Sequence, residues 1–282
     1  MSAFMDGIHA ASLHVMTWNI RRRIPWGGGR PADRWAVRKP RLHALIAAEQ
    51  PAVLAAQEVL PDQEQAILQA LGETHRVIGT GRGKHGTGER CPVFYDDSRV
   101  ELLEWHQDAL SETPAHPGST SWGNPFPRIA VHADFRDRRT RTRFHLINTH
   151  LDPLSARSRH RSAKVLRQAA AATLGPCLIT GDFNAGPDSG TLREFLRDGT
   201  LVDAWHATGN HLSPEYATYA NYRPARTGTR IDWILTTAGI RTQRIGINST
   251  PVYGGWASDH LPVQAELVLH GSGAPGPESE DA

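Results

Sequence analysis

Cysteine is almost absent from this 282-residue sequence: Cys91 and Cys177 are the only two, and neither belongs to a Cys-x-x-Cys pair. A disulfide framework and a thiolate zinc motif are thereby excluded. Both thiols read as small buried apolar groups in a reducing compartment, so a cytoplasmic location is expected. Lysine is nearly missing too. Lys39, Lys84 and Lys164 are the whole set, which leaves 31 − 3 = 28 arginines among the basic residues. A formal net charge of +2 rules out the broadly basic surface of a nonspecific nucleic-acid coat, so any anion binding must be local. Long apolar runs are lacking as well. The stretches 166–174 and 261–269 fall far short of the roughly 20 residues a bilayer demands, so no membrane association is expected. Residues 1–14 show no basic segment followed by an apolar core, and no secretory signal is expected. The glycine-rich stretches 26–30 and 79–88 have no Gly-x-x-x-x-Gly-Lys-Ser/Thr pattern and read as surface loops, not phosphate cradles.

Short apolar runs rich in β-branched and aromatic residues predict strands at 13–20, 52–57, 76–80, 92–96, 100–105, 128–135, 143–149, 177–181, 230–236 and 262–269. Helices are fewer. Leu42, Leu45 and Ile46 share one face of a segment that ends before Pro51. Pro61 opens a second helix with Ile67, Leu68 and Leu71 inward. Ser155 caps a third running to Leu174, and Ser189 a fourth ending at Gly199. Many strands with few helices predict an α/β fold of packed sheets with helices outside. One catalytic domain is expected over 13–270, with a flexible arm at 1–12 and a disordered polar tail at 271–282. A monomer is expected.

Polar residues of an unusual kind sit where apolar strands end. Asn19 follows 15–18, Glu58 follows 53–57, and His150 follows 146–149. Asp182 and Asn184 follow 178–181, Asp232 lies within 230–235, and Asp259 and His260 precede the last strand. A single strand-end Asp or Asn is usually a turn former. Six such ends, all bearing ligand or acid–base groups, predict a common site on one rim. Oxygen donors without nearby thiolates favour a hard cation, Mg²⁺ first and Mn²⁺ in its place. An imidazole paired with a carboxylate adds acid–base capacity or positive charge. The chemistry these groups predict is metal-assisted phosphoester hydrolysis.

The sequence resembles the endonuclease/exonuclease/phosphatase superfamily, with its deoxyribonuclease-I-like fold. The resemblance rests on Thr17-Trp-Asn-Ile20, Gln57-Glu58, Pro92-Val-Phe-Tyr-Asp96, Asn148-Thr-His-Leu-Asp152, Gly181-Asp-Phe-Asn-Ala185, Arg230-Ile-Asp-Trp233 and Ser258-Asp-His-Leu-Pro262, in the family's order across residues 13–269. Ser111-Glu-Thr-Pro114 and Pro127-Arg-Ile-Ala130 look most like the bacterial branch related to deadenylases. The resemblance implies a four-layer α/β sandwich, two packed mixed sheets flanked by helices. It also implies a metal held by Glu58, with Asn19 beside it and Asp259 as a further contact. Asp182 would orient or deprotonate the attacking water, and Asn184 and His150 would contact phosphate. His260 would be the catalytic histidine, its tautomer fixed by Asp232.

Arg21, Arg128, Arg157 and Arg161 are candidate phosphate contacts, and Trp26, Trp35, Trp122 and Trp256 candidate stacking groups. His106, among others, reads as exposed or capping. The continuation Arg21-Arg-Arg-Ile-Pro-Trp-Gly-Gly-Gly29 departs from the short Asn-Gly type of DNA-repair members and speaks against an abasic-site endonuclease. The expected activity is phosphodiester hydrolysis on a small phosphodiester, a nucleotide or a single-stranded nucleic acid. A phosphomonoesterase acting on a sugar, inositol or nucleotide phosphate is the enzymatic alternative. A non-catalytic binding module is opposed by the complete polar set.

Overall fold

The computed structural model describes residues 2–24 and 30–270, so the tail at 271–282 and Trp26 lie outside the described residues. Along the chain come β1 (Ser12–Asn19), α1 (Trp35–Glu49), β2 (Val53–Gln57), α2 (Pro61–Leu71), β3 (His75–Ile78), β4 (Val93–Asp96), β5 (Val100–Ala109), β6 (Ile129–Asp137) and β7 (Arg143–His150). They are followed by α3 (Ala156–Ala172), β8 (Cys177–Asp182), α4 (Gly190–Phe195), β9 (Val202–Asp203), β10 (Asp232–Thr236), β11 (Ile240–Ile247) and β12 (Val263–Leu269). The strands form two mixed six-stranded sheets, ordered β11-β12-β1-β2-β4-β3 and β5-β6-β7-β8-β10-β9. No described helix is long and apolar enough to cross a membrane.

Strand alternation builds the layers. In β1, Leu13 and Val15 enter the core between the sheets, where they join Val53, Val131, Leu146, Leu178 and Ile234. Met16 and Trp18 point the other way and pack with Leu42, Ile46 and Ile67 of α1 and α2. Ile147 and Ile179 meet Leu166 of α3 and Leu192 of α4 on the outside of the second sheet. Central strands are therefore buried on both faces, as a sandwich with outer helices requires. Ser155 caps α3 by accepting the Ser158 N–H at 3.1 Å. That helix stops at Ala172, short of Leu174, because Thr173 turns to an extended conformation.

Each sheet is centred on a parallel pair, β1 with β2 and β7 with β8, and each pair is joined by a helical crossover. The sequence shows no repeat, yet both sheets run in the same order around that pair. The hairpins β5-β6 and β11-β12 each follow one half in sequence and flank the central pair of the other sheet. Two parallel pairs thus bring four strand carboxyl ends together, at Asn19, Gln57, His150 and Asp182. Asn19 lies opposite Gln57, and His150 opposite Asp182. Below them the sheets are cross-linked. Gln57 Nε2 donates to Asn148 Oδ1 at 2.8 Å, and Asn148 Nδ2 donates to the Ala56 carbonyl at 2.9 Å.

Several sequence expectations are corrected. Strands β9 and β11 were not expected. β11 is an outer strand whose alternation is broken by a bulge between Thr242 and Arg244, and this hides its period. β5 runs to Ala109, four residues past the expected end, because polar residues occupy its outer half. The arm expected to be flexible is anchored: Phe4 and Met5 N–H groups donate to the Glu49 carboxylate at 2.7 and 3.2 Å, and Met5 is buried.

Gly181 sits in the parallel ladder just before Asp182 with φ +148°, and a Cβ there would run into the Thr149 carbonyl. Gly181→Ala is expected to destabilise the protein by about 1–3 kcal/mol through overpacking, read as a lower urea midpoint. An unchanged midpoint would show that the ladder yields freely at this point.

Candidate active site

The strand-end residues lie together at one rim of the two sheets. Asn19 is central: its Nδ2 donates to Glu58 Oε1 at 3.1 Å and to Asp182 Oδ2 at 3.0 Å, joining a carboxylate that follows β2 to one at the end of β8. Its Oδ1 accepts the Arg21 N–H at 3.0 Å, while Glu58 Oε2 accepts the Arg22 N–H at 3.1 Å. Arg21 and Glu58 hold positive φ angles of 58° and 60°, so the chain turns sharply as it leaves each strand. Ser258 ties the third segment down by donating to the Asn19 carbonyl at 2.7 Å. Buried Arg38, which sequence reading missed, donates to the carbonyls of Ile20 and Ala257 at 2.9 and 3.2 Å and locks the same two loops together.

Asp182 Oδ1 accepts the Asn184 N–H at 2.8 Å, and Asn184 Nδ2 donates to the Leu151 carbonyl at 3.0 Å. The other oxygen of Asp182 lies 3.5 Å from His150 Nε2 and 3.8 Å from His260 Nε2. His260 Nδ1 is 2.9 Å from Asp232 Oδ2, so the buried carboxylate orients the imidazole. Asp232 Oδ1 has no hydrogen-bond partner among the described residues. Tyr219 packs edge-on against the His260 ring, with centroids 5.2 Å apart.

Charge separates these groups by role. Burial opposes protonation of His260, but Asp232 and Asp182 overcome it and push the imidazole up to about 10. Burial, joined by repulsion from Asp232, raises the Asp182 carboxyl above its ordinary value against the pull of the two imidazoles. For His150, burial prevails over the attraction of Asp182 and lowers it to about 4. Burial also opposes ionisation of Glu58, yet His150, the Arg22 N–H, the Asn19 amide and His260 hold its carboxyl down to about 2. Since His150 is neutral at pH 7, ionised Glu58 then relies on its two N–H donors and the His260 imidazolium. Asp259 is raised by burial, against His260 and Arg21.

Above this floor opens a cavity of about 680 Å³, lined by Glu58, His150, Asp182, Asn184, Asp259 and His260, and by Arg21 and Arg128 on its walls. Asn19 and Asp232 lie beneath, both buried. Arg128 Nε is 3.3 Å from Asp152, and Arg21 is shared between Asp33 at 3.3 Å and Asp259 at 3.6 Å. Arg157 and Arg161, exposed on α3, are not among the lining residues, nor are Trp35, Trp122 and Trp256. The lining aromatics are Phe126, Tyr219 and Tyr222. The loop at 79–88, read as plain surface, brings Arg82 into the lining, where it pairs with Glu89 at 3.0 Å. Asp33, whose Oδ1 accepts the Tyr222 hydroxyl at 2.7 Å, was also missed.

Six carboxylates and five arginines line the cavity, so the guanidinium charge is matched before any anion arrives. Asp182, Asp232 and His260 present ligand atoms within 4.8 Å of one another, but the imidazolium already supplies a cation there. Glu58 accepts hydrogen bonds from neutral N–H groups alone among the described residues, and the imidazoles and Arg21 act on it only through space. The carboxylates of Glu58 and Asp259 offer oxygen donors that fit a hard divalent ion, with the Asn19 amide beside them and its oxygen accepting the Arg21 N–H.

Sheets packed face to face, with carboxylates, amides and imidazoles gathered at their common rim, define a phosphoester hydrolase. The chain belongs to the Endonuclease/Exonuclease/phosphatase family, whose sequence profile matches residues 16–260. It is similar to an endonuclease/exonuclease/phosphatase family protein from Bacteroides thetaiotaomicron at 26% identity and TM-score 0.85, covering 92% of this chain and 98% of that one. A mannosyl-6-phosphatase from the same species matches at 26% identity and TM-score 0.84, covering 92% of this chain and 100% of that one. The human Nocturnin catalytic domain shares the fold at 21% identity and TM-score 0.68, covering 93% and 96%. No curated protein sequence matches the chain.

The two histidines are expected to titrate on opposite sides of the ordinary 6.5, His150 near 4 and His260 near 10. The raised His260 contributes stability that is full below 6.5 and lost as pH climbs through 10. The depressed His150 costs stability as pH falls from 6.5 toward 4, because only the unfolded chain takes up the proton. Histidine ¹⁵N NMR reads both, and two rings titrating together near 6.5 would contradict the assignment.

Proposed function

We propose that the protein is a Mg²⁺-dependent phosphodiesterase of small substrates, with Mn²⁺ able to replace Mg²⁺. The observation that carries this reading is the matched charge of the cavity. Four of the five lining arginines are already engaged by carboxylates, so an arriving phosphate competes with those carboxylates unless a cation is added, and Glu58 accepts hydrogen bonds from neutral N–H groups alone among the described residues. Glu58 would hold that ion, with Asn19 and Asp259 alongside. When bound, the cation offsets charge on a phosphoryl oxygen.

The protein's own groups supply the remaining steps. Asp182, its basicity raised by burial and by Asp232, orients the attacking water and takes its proton. His260, kept protonated and oriented by Asp232, faces the same space and stabilises the charge that develops at phosphorus. His150 and Asn184 contact phosphate oxygens, His150 as a neutral ring that neither repels the cation nor neutralises Asp182. Arg128 and Arg21 reach the phosphate from the walls, each steadied by a carboxylate. Phe126 and Tyr219, both substantially exposed, offer faces for a base or sugar. One set of phosphate contacts inside a cavity of about 680 Å³ favours a small phosphodiester, nucleotide or single-stranded end over a duplex. Two buried free thiols fit a reducing cytoplasm, and a monomer suffices for the site.

A phosphomonoesterase is the second reading, favoured by the similar structure named a mannosyl-6-phosphatase. Exhaustive chelation is expected to abolish turnover and Mg²⁺ to restore it. Full activity in metal-free protein would overturn the reading. Comparing a bis-aryl with an aryl phosphate separates diester from monoester hydrolysis: faster cleavage of the monoester would establish the second reading. Asp232→Asn and His260→Ala are each expected to lower kcat, with a double variant little worse than His260→Ala alone, because the carboxylate acts through the ring. Additive losses in activation free energy would show that Asp232 works independently.

A further inference from the structure

A second group of ligand side chains lies away from the cavity, on the outer face of the second sheet. His106, Asp108 and His132 place ligand atoms within 4.8 Å of one another. Strand geometry creates the group. β5 and β6 are antiparallel with His106 directly opposite His132, and Asp108, two residues beyond His106, shares its face. The two rings stack with centroids 4.5 Å apart, and His106 Nε2 is 3.8 Å from Asp108 Oδ2. The side chains of His106 and Asp108 are 55% and 43% exposed, whereas His132 is buried at 6%.

His132 is held by a relay. Its Nδ1 lies 3.3 Å from His145 Nε2, and His145 Nδ1 lies 2.9 Å from Asp134 Oδ1. An ionised carboxylate only accepts, so His145 donates from Nδ1 and its Nε2 becomes an acceptor. His132 must then donate from Nδ1, which leaves its Nε2 with a free lone pair. An imidazole whose far N–H is anchored through a chain to a carboxylate is the arrangement that fixes metal-bound histidines.

We propose that His106, Asp108 and His132 form a site for a divalent transition-metal ion of the zinc type, with His145 and Asp134 as positioning residues for His132. Two imidazoles and a carboxylate suit zinc and disfavour Mg²⁺ or Ca²⁺, and solvent supplies the fourth tetrahedral position. Tetrahedral zinc requires ligand atoms roughly 3.4 Å apart, so His106, whose ring is stacked on His132, and Asp108 would turn toward the ion, both being exposed. His132 lies opposite Ile147, whose side chain packs against the outer helices, and so on the face away from the space between the sheets. The ion would therefore staple outer strand β5 to β6 without entering the cavity.

The test titrates Zn²⁺ alone into the full chain carrying Glu58→Gln, with excess Mg²⁺ present, and follows binding by calorimetry and Co²⁺ substitution by visible absorption. One equivalent of zinc is expected, with a tetrahedral Co²⁺ spectrum. His106→Ala and His106→Ala/Asp108→Asn, both at exposed positions, should weaken binding at least tenfold and remove the spectrum. Asp134→Asn should weaken it about tenfold through the relay. Zinc should raise the melting temperature of the parent and leave that of the double variant unchanged. No zinc binding by the parent, or identical isotherms for parent and double variant, would overturn the proposal.

Discussion

A half-buried carboxylate that follows one sheet and a buried one at the end of a strand in the other share a single amide. Asn19 Nδ2 reaches both Glu58 and Asp182, and the rim is organised around that neutral bridge. Holding two carboxylates this close, one of them buried, with only an amide between them is costly unless positive charge is supplied. The fold supplies part of it. A parallel pair in each sheet carries the ends of four strands to one place, and the Gln57–Asn148 hydrogen bond at 2.8 Å fixes the sheets against each other directly beneath.

Two kinds of cation would then divide the rim. On the Asp182 side a proton suffices, because Asp232 and Asp182 keep His260 charged. On the Glu58 side the hydrogen-bond donors are neutral N–H groups, and the ion of the proposed function would complete the balance. Around both, four of the five lining arginines stand opposite a carboxylate, Arg21 with Asp33 and Asp259, Arg22 and Arg82 with Glu89, and Arg128 with Asp152, while Arg30 donates to the Asn221 amide oxygen. Such pairing holds the guanidinium groups in place, an entropic saving when phosphate arrives, while keeping the empty cavity close to neutral.

The floor of the site was legible in the sequence because its residues terminate apolar strands. Asn19, Glu58, His150 and Asp182 each interrupt a periodic run, and such a run carries most of the signal in a single sequence. The layered fold was legible for the same reason. The walls were not. Asp33 ends a single 3-10 turn at Pro31–Asp33, while Arg82, Phe126, Tyr219 and Tyr222 stand in irregular segments without period, and folding alone brings them to the cavity. Tryptophans drew attention by size, yet Trp256 packs partly against the core. His106 looked like a solvated histidine because its partner His132 is 26 positions away and becomes its neighbour only through the β5-β6 register. Arg38 escaped notice because nothing local distinguishes an arginine that binds distant carbonyls from one on an exposed helix face.

The central claim is that the divalent ion belongs to Glu58 and not to the Asp182, Asp232 and His260 group. A crystal soaked in Mn²⁺ and measured for anomalous scattering tests it most directly. The account predicts one strong peak in the cavity at coordination distance from the Glu58 carboxylate, with an oxygen of Asn19 or Asp259 beside it. A peak held only by Asp182, Asp232 and His260, or no peak in the cavity at saturating Mn²⁺, would contradict it.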